Sequence, residues 1–291
     1  MDSFVKLFGR ARSVIIGMVH VRALPGSPCC HQSVHDVTQI ALKEAEVLAN
    51  ANVDAILMEN MHDRPWQQPQ DLGPETTAAM ATVCSAVRQA HPGLPLGVQV
   101  LVSGNREALA VAKATGLNFV RAEGFVFSHV GDRGFINSCA ADIVRYRRNI
   151  GAEDVLIFTD IKKKHCSHAI TSDISVSETA KAADLFMSDG VIVTGSATGV
   201  PTDALEVKEV SESVKIPVMV GSGVTTSNVH EYMHANAIIV GSHLKTEDKW
   251  HNELEPTQVH SFMRRVFELR QKAIDEQQNL EVNKGMFAQG E

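Results

Sequence analysis

The chain has 291 residues, 44% hydrophobic and 21% charged, with a formal net charge of -7. That length suits a single α/β barrel domain, and the acidic balance excludes a general electrostatic hold on nucleic acid. The apolar runs stay far below the roughly 20 residues needed to cross a bilayer, so no membrane span is expected.

Residues 1–13 form an N-terminal extension in which Lys6, Arg10 and Arg12 alternate with Phe4, Leu7 and Phe8. That pattern leaves a short organelle signal open, so cytoplasmic residence is expected with a mitochondrial one as the alternative. The five cysteines show no C-x-x-C spacing. They encode neither a disulfide framework nor a zinc ribbon, which fits a reducing compartment with five free thiols.

From Val14 onward, short β-branched runs alternate with amphipathic stretches, the pattern of a parallel sheet built from βα units. Strands are predicted over Val14 to His20, Asp54 to Glu59, Leu96 to Val100, Asn118 to Glu123, Val155 to Asp160, Gly190 to Thr194, Ile216 to Val220 and Ala237 to Val240. Helices are predicted over 34–51, 76–90, 106–114, 140–149, 176–187, 204–213, 225–234 and 257–274. Asn105 and Thr202-Asp203 read as helix starts. Eight strands of like character favour an α/β fold consisting of a single (β/α)8 TIM barrel over 14–274, rather than an open doubly wound sheet. Residues 275–291 read as a polar C-terminal tail.

A parallel sheet covered on both faces should be apolar throughout, yet these strands end in His20, Glu59-Asn60, Glu123 and Asp160. Isolated charges cannot face the dry helix layer, so these side chains belong at the C-terminal mouth, where barrel enzymes place their chemistry. Arg121 shares parity with Glu123 and is expected to pair with Glu59. After Asp160 come Lys162, Lys163, Lys164 and His165. An amine beside a carboxylate in a closed pocket suits proton transfer or Schiff-base chemistry, while Lys162 and Lys163 also read as a plain solvated loop. The expected catalytic set is His20, Glu59, Asp160, Lys164 and His165, with Asp160 and Lys164 carrying the proton. Gln99, Asp132 and Thr194 are further mouth candidates. His165, Cys166 and His168 lack a regular metal-ligand spacing; neither metal nor cofactor is expected.

The stretch Pro217 to Lys245 holds two apolar runs, each closed by a glycine turn: Gly221-Ser222-Gly223 and Gly241-Ser242. Side by side, such turns present backbone N–H groups to one anion with no Cβ in the way, and a helix expected to start at Thr225 would add its N-terminus. In a barrel these are the turns after strands 7 and 8, a frequent phosphate site.

Several motifs occur in order along this chain: Met18-Val19-His20 with Ala23-Leu24-Pro25-Gly26, Glu59-Asn60 with Asp63, Gly73-Pro74-Glu75-Thr76, Val130-Gly131-Asp132, Asp160 with Lys164-His165, Val193-Thr194-Gly195, Gly221-Ser222-Gly223 and Ile239-Val240-Gly241-Ser242. From about Ser13 to Met263 the chain resembles the BtpA/SgcQ family. The resemblance implies a barrel of the ribulose-phosphate-binding type with phosphate near the two glycine turns, and implies little chemistry. Departures fall at the mouth, where Gln99 replaces an Asn, Arg133 a Gln, and Glu123-Gly124 a Val-Asn, so the substrate is what they put in question. Two functions follow. One is binding or conversion of a small phosphorylated metabolite, a sugar phosphate or nucleoside phosphate. The other is a non-catalytic assembly factor of the kind linked to photosystem I biogenesis. A homo-oligomer is compatible with either.

Overall fold

The computed structural model describes residues 1–288. Eight parallel strands close into a barrel: β1 (Val14–His20), β2 (Ala55–Glu59), β3 (Leu96–Gln99), β4 (Phe119–Ala122), β5 (Leu156–Ile161), β6 (Gly190–Thr194), β7 (Val218–Gly221) and β8 (Ala237–Val240). Each pairs with the next, and β8 returns to β1 with Ala237 opposite Val14.

Alternation along each strand sorts the side chains into two layers. Ile15, Val19, Ile56, Met58, Val98, Val120, Ile157, Val191, Val220 and Ile238 face the helices and join them in the main core. Val14, Ile16, Met18, Leu57, Phe119, Phe158, Ile192, Met219 and Ile239 fill the lumen. The two lumen phenylalanines fit because a neighbouring strand offers a glycine. A Cβ at Gly97 would lie 2.2 Å from the Phe119 ring, and one at Gly190 would lie 3.0 Å from Phe158.

The first helix, α1 (Asp2–Phe8), closes the lumen from the N-terminal ends of the strands. Phe4 and Phe8 are buried, with ring centroids 6.1 Å from Phe158 and 5.8 Å from Phe119 respectively. The apolar side of the extension thus packs into the barrel.

The outer layer comprises α2 (Val34–Asn50), α3 (Pro74–Ala90), α4 (Asn105–Thr115), α5 (Ala140–Asn149), α6 (Val176–Leu185), α7 (Ala204–Ser213) and α8 (Pro256–Ala288). Capping boxes Ser33/Asp36 and Ser175/Glu178 start α2 and α6, and Asp203 caps α7. Three expectations need correction. Gly104, not Asn105, is the N-cap of α4; the Asn105 side chain is buried and pairs with the backbone of Glu123, donating to its O at 2.7 Å and accepting from its N at 3.2 Å. Between β7 and β8 there is no α-helix over 225–234, only a 3-10 turn, Val229–Tyr232, preceded by a turn in which Asn228 Oδ1 accepts from Thr225 N at 2.7 Å and Val229 N donates to Thr225 O at 3.0 Å. The last helix runs beyond 274 through the stretch read as a tail, to Ala288; residues 289–291 of that tail lie outside the described residues.

Beyond the barrel, a hairpin of His129–Gly131 and Gly134–Ile136 follows β4 and is extended by Cys166–Ser167 into a small antiparallel sheet. Among the described residues no helix is long and apolar enough to cross a membrane.

Candidate active site

At the C-terminal ends of the strands the lumen turns polar, and its last layer opens into a cavity of about 450 Å³. His20, Glu59, Gln99, Arg121, Glu123, Asp132, Lys164, His165, Ser222, Gly223, Gly241 and Ser242 line it. Four expected mouth residues stand behind that lining. Asn60 Oδ1 accepts from Leu101 N at 2.7 Å, Thr194 Oγ1 accepts from Lys164 N at 3.3 Å, and Gly221 leaves room for Arg121, whose Nη2 lies 3.7 Å from where a Cβ would be. Asp160 is the fourth: both its carboxylate oxygens accept from Arg121 Nε and Nη2 at 3.0–3.2 Å, and its side chain has no exposure.

Arg121 therefore pairs with Asp160, not with the expected Glu59. Strands β4 and β5 are neighbours, whereas β3 lies between β4 and β2. Parity assigns a side chain to the lumen but does not choose its partner. Asp160 keeps Arg121 cationic against the cost of burial. Its place in the site is to position that guanidinium.

Glu123 is the second satisfied carboxylate. It accepts from Gln99 Nε2 at 2.9 Å and Ser103 N at 3.2 Å and meets Lys163 Nζ at 3.0 Å. Burial pushes its pKa up, but Lys163, Arg121 and Arg133 outweigh burial and leave it below the usual range. Lys163 thus belongs to the buried network, not to a solvated loop. Lys162 instead turns away, donating to Thr171 O at 2.7 Å.

Two groups face the cavity unpaired, and a third keeps one free nitrogen. The Glu59 carboxyl makes no hydrogen bond or ion pair to the described residues, and burial pushes its pKa up, with Arg121 and Lys164 pulling against that. Lys164 Nζ is likewise without an acceptor among the described residues; burial, then Arg121, lowers its pKa to about 8, opposed by Asp160 and Glu59. His20 is held neutral by burial and by Lys245, which is itself fully buried on Glu44 at 2.8 Å. Its Nδ1 donates to Trp250 O at 2.9 Å, so Nε2 keeps a free lone pair, close to Gly241.

The glycine turns line the same cavity, with the Gly241 turn beside His20. Ser222 and Gly223 have φ of 105° and 64°, left-handed backbone of the kind that can line up successive N–H groups for an anion. Gly241 leads into a 3-10 turn, Ser242–Leu244, whose first N–H groups have no acceptor one turn earlier. His243 joins the two lips: its Nε2 accepts from Thr226 N at 3.0 Å and its Nδ1 donates to Asp248 at 2.8 Å. With the Thr225 and Thr226 amides already used, the 3-10 turn at Ser242 takes the place of the helix start expected at Thr225.

His165 sits at the rim, where its Nε2 accepts from Thr198 N at 3.1 Å. His168 meets Lys163 O at 2.8 Å, so His165, Cys166 and His168 do not converge. Sequence reasoning missed the apolar rim of Met61, Trp66, Leu101, Val102 and Trp250. Trp66 and Trp250 are the chain's two tryptophans, and both sit on loops after strands, a signal that could have found them. Arg133 lies 5.2 Å over the Trp66 ring and pairs with Asp132 at 3.0 Å.

A model of the BtpA family matches residues 11–268. An uncharacterized mitochondrial protein of Caenorhabditis elegans is 43% identical over 269 residues, covering 91% of this chain and 97% of its own. A photosystem I biogenesis protein, BtpA, of Synechocystis is 30% identical over 256 residues, covering 87% and 88%. Among solved structures, thiamine phosphate pyrophosphorylase from Pyrococcus furiosus superposes with a TM-score of 0.54 at 14% identity, over 89% of this chain and 97% of that one. That likeness is one of fold.

Proposed function

The chain belongs to the BtpA family, and from that premise we propose that it binds and converts a small phosphorylated metabolite, a sugar phosphate or nucleoside phosphate, at the barrel mouth. One observation carries the reading. Two glycine-containing turns share a single cavity with an unpaired carboxyl, an unpaired amine and an imidazole whose Nε2 is free. A purely structural polar layer would have no reason to leave that carboxyl, amine and imidazole nitrogen unpaired while giving Arg121 and Lys163 counter-ions. The pyrophosphorylase that shares the fold is itself named for a thiamine phosphate, which agrees with this.

The roles follow from position. The amides of Ser222, Gly223, Ser242 and His243 hold the phosphate, Arg121 adds a fixed positive charge, and Glu59, Lys164 and His20 exchange protons with the remainder of the ligand. A thermal-shift titration with inorganic phosphate and with phosphorylated sugars and nucleosides tests it. A ligand at 100 times its Kd raises stability by about 2.7 kcal/mol. Ser242→Glu, which sets a negative charge in the cup without demanding a left-handed backbone, should abolish the shift. Gly223→Asp is a poorer probe, because its Cβ would lie 2.2 Å from Pro201 N. No stabilisation by any phosphorylated compound would remove the proposal.

An assembly role is the competing reading. The Synechocystis relative is named for photosystem I biogenesis, and Phe135 and Ile170, 52% and 55% exposed, put apolar surface on the small sheet and the turn beside it. A protein working in that way would keep its activity in the Ser242→Glu variant and lose it on Phe135→Glu.

A further inference from the structure

Four Lys and Arg side chains line the cavity, and they are treated differently. Arg121 is held by Asp160, Lys163 by Glu123 and Arg133 by Asp132. The Lys164 amine is held by nothing among the described residues, although its backbone is fixed by Thr194 Oγ1. A lysine placed only to balance charge would occupy a pair like the other three. Two fixed cations, Arg121 and Lys163, act on it, and Met61, Leu101 and Trp250 add apolar walls to the same cavity.

We propose that Lys164 is a nucleophile that forms an imine with the carbonyl carbon of a phosphorylated aldehyde or ketone, with Glu59 as the acid that releases water. An amine beside a second cation in a water-poor pocket is the arrangement that frees a lysine lone pair near neutral pH. Its lowered pKa and the raised pKa of Glu59 agree with those roles. The lone pair of Lys164 Nζ attacks the carbonyl carbon and the π pair moves to oxygen. One proton passes from nitrogen to that oxygen, giving a neutral carbinolamine. Glu59 then protonates the hydroxyl, water leaves, and the nitrogen lone pair closes the C=N bond. The products are a protonated imine, one water and the Glu59 carboxylate, so charge and atoms balance. His20 Nε2, free to accept, is the base available for a proton on the carbon next to the imine.

This inference rests on the phosphorylated-ligand reading, and its test separates the two. The full chain at pH 8 is incubated with dihydroxyacetone phosphate, D-glyceraldehyde 3-phosphate or ribose 5-phosphate, reduced with sodium borohydride, and mapped by mass spectrometry. At least one compound is expected to leave a stoichiometric secondary amine on Lys164. That label should be suppressed by excess inorganic phosphate and absent from Lys164→Met and Lys164→Arg. The Arg variant keeps the charge, so it controls for a Met variant that folds poorly. No label on Lys164 from any of the three compounds, or equal total labelling of Lys164→Arg, overturns the imine. If inorganic phosphate still stabilises the protein in that case, only the imine falls; if it does not, the phosphate reading falls with it.

Discussion

Lys163 and Lys164 are adjacent and burial lowers the pKa of both, yet they end on opposite sides of the ordinary lysine value because only Lys163 has a counter-ion. Glu123 raises the pKa of Lys163 above its ordinary value, while Lys164 drops to about 8. Glu123→Gln removes the partner of a buried charge and should lower stability by about 3 kcal/mol in urea unfolding. Glu59→Gln breaks no pair and should cost much less. Glu123 and Lys164 both make stability rise with pH, in different windows. Glu123 is depressed in the folded state, so its contribution is present above the ordinary carboxylate range and is lost as pH falls through the folded value. For Lys164 the unfolded chain binds the extra proton between about 8 and 10.5, so stability from this group rises with pH across that window. Lys164→Met should therefore be no less stable than the parent at pH 7, and the difference should vanish above 10.5. Asp160→Asn is expected to be costly, again about 3 kcal/mol, since it leaves Arg121 buried and unpaired. Equal stability of Asp160→Asn and the parent would show that the pair is not what orders the lumen.

At the scale of elements, α1 makes a direct prediction. Phe4 and Phe8 fill the closed end of the lumen against Phe119 and Phe158, so Phe8→Ala should lower stability by about 3 kcal/mol, read by calorimetry. His243→Ala should leave the barrel folded but unlink the two lips of the cup, weakening inorganic phosphate about tenfold. The eight strands were legible from the sequence because strands covered on both faces are short apolar runs, and their polar ends announced the mouth. Other features were not legible, for physical reasons. A two-residue period places Arg121 in the lumen without showing that β5 is the strand beside it. A run of three lysines looks uniform until the chain turns after Ile161 and sends Lys162 away from Lys163. The segment from Thr225 to His234 has a helical pattern, but it is too short for that pattern to tell an α-helix from the 3-10 turn it forms. The hairpin over 129–136 is two strands of three residues each, too short for a period to register. Asn105 looked like a cap because its tie to the Glu123 backbone lies 18 residues away.

For the molecule as a whole, closure depends on contacts between the two ends of the chain. Ser13 Oγ donates to Met233 O, 220 residues on, and Arg270 of α8 binds both the Ser13 carbonyl and the Asp54 carboxylate. Truncation before Arg270 should therefore broaden thermal unfolding and expose β1 to hydrogen exchange, while Arg264→Ala, an exposed neighbour on the same helix, should do neither. The plug formed by α1 has a consequence for synthesis. Phe4 and Phe8 leave the ribosome long before their partner Phe158, which is made about 150 residues later, and the strand that seals β1 comes later still. At 5–20 residues per second, a nascent chain carries two bare phenylalanines for roughly ten to forty seconds before any lumen exists to receive them. In the cell this protein should accordingly be a client of chaperones that bind emerging N-terminal segments, and exchanging Phe4 and Phe8 for polar residues should release it from them while weakening the finished barrel.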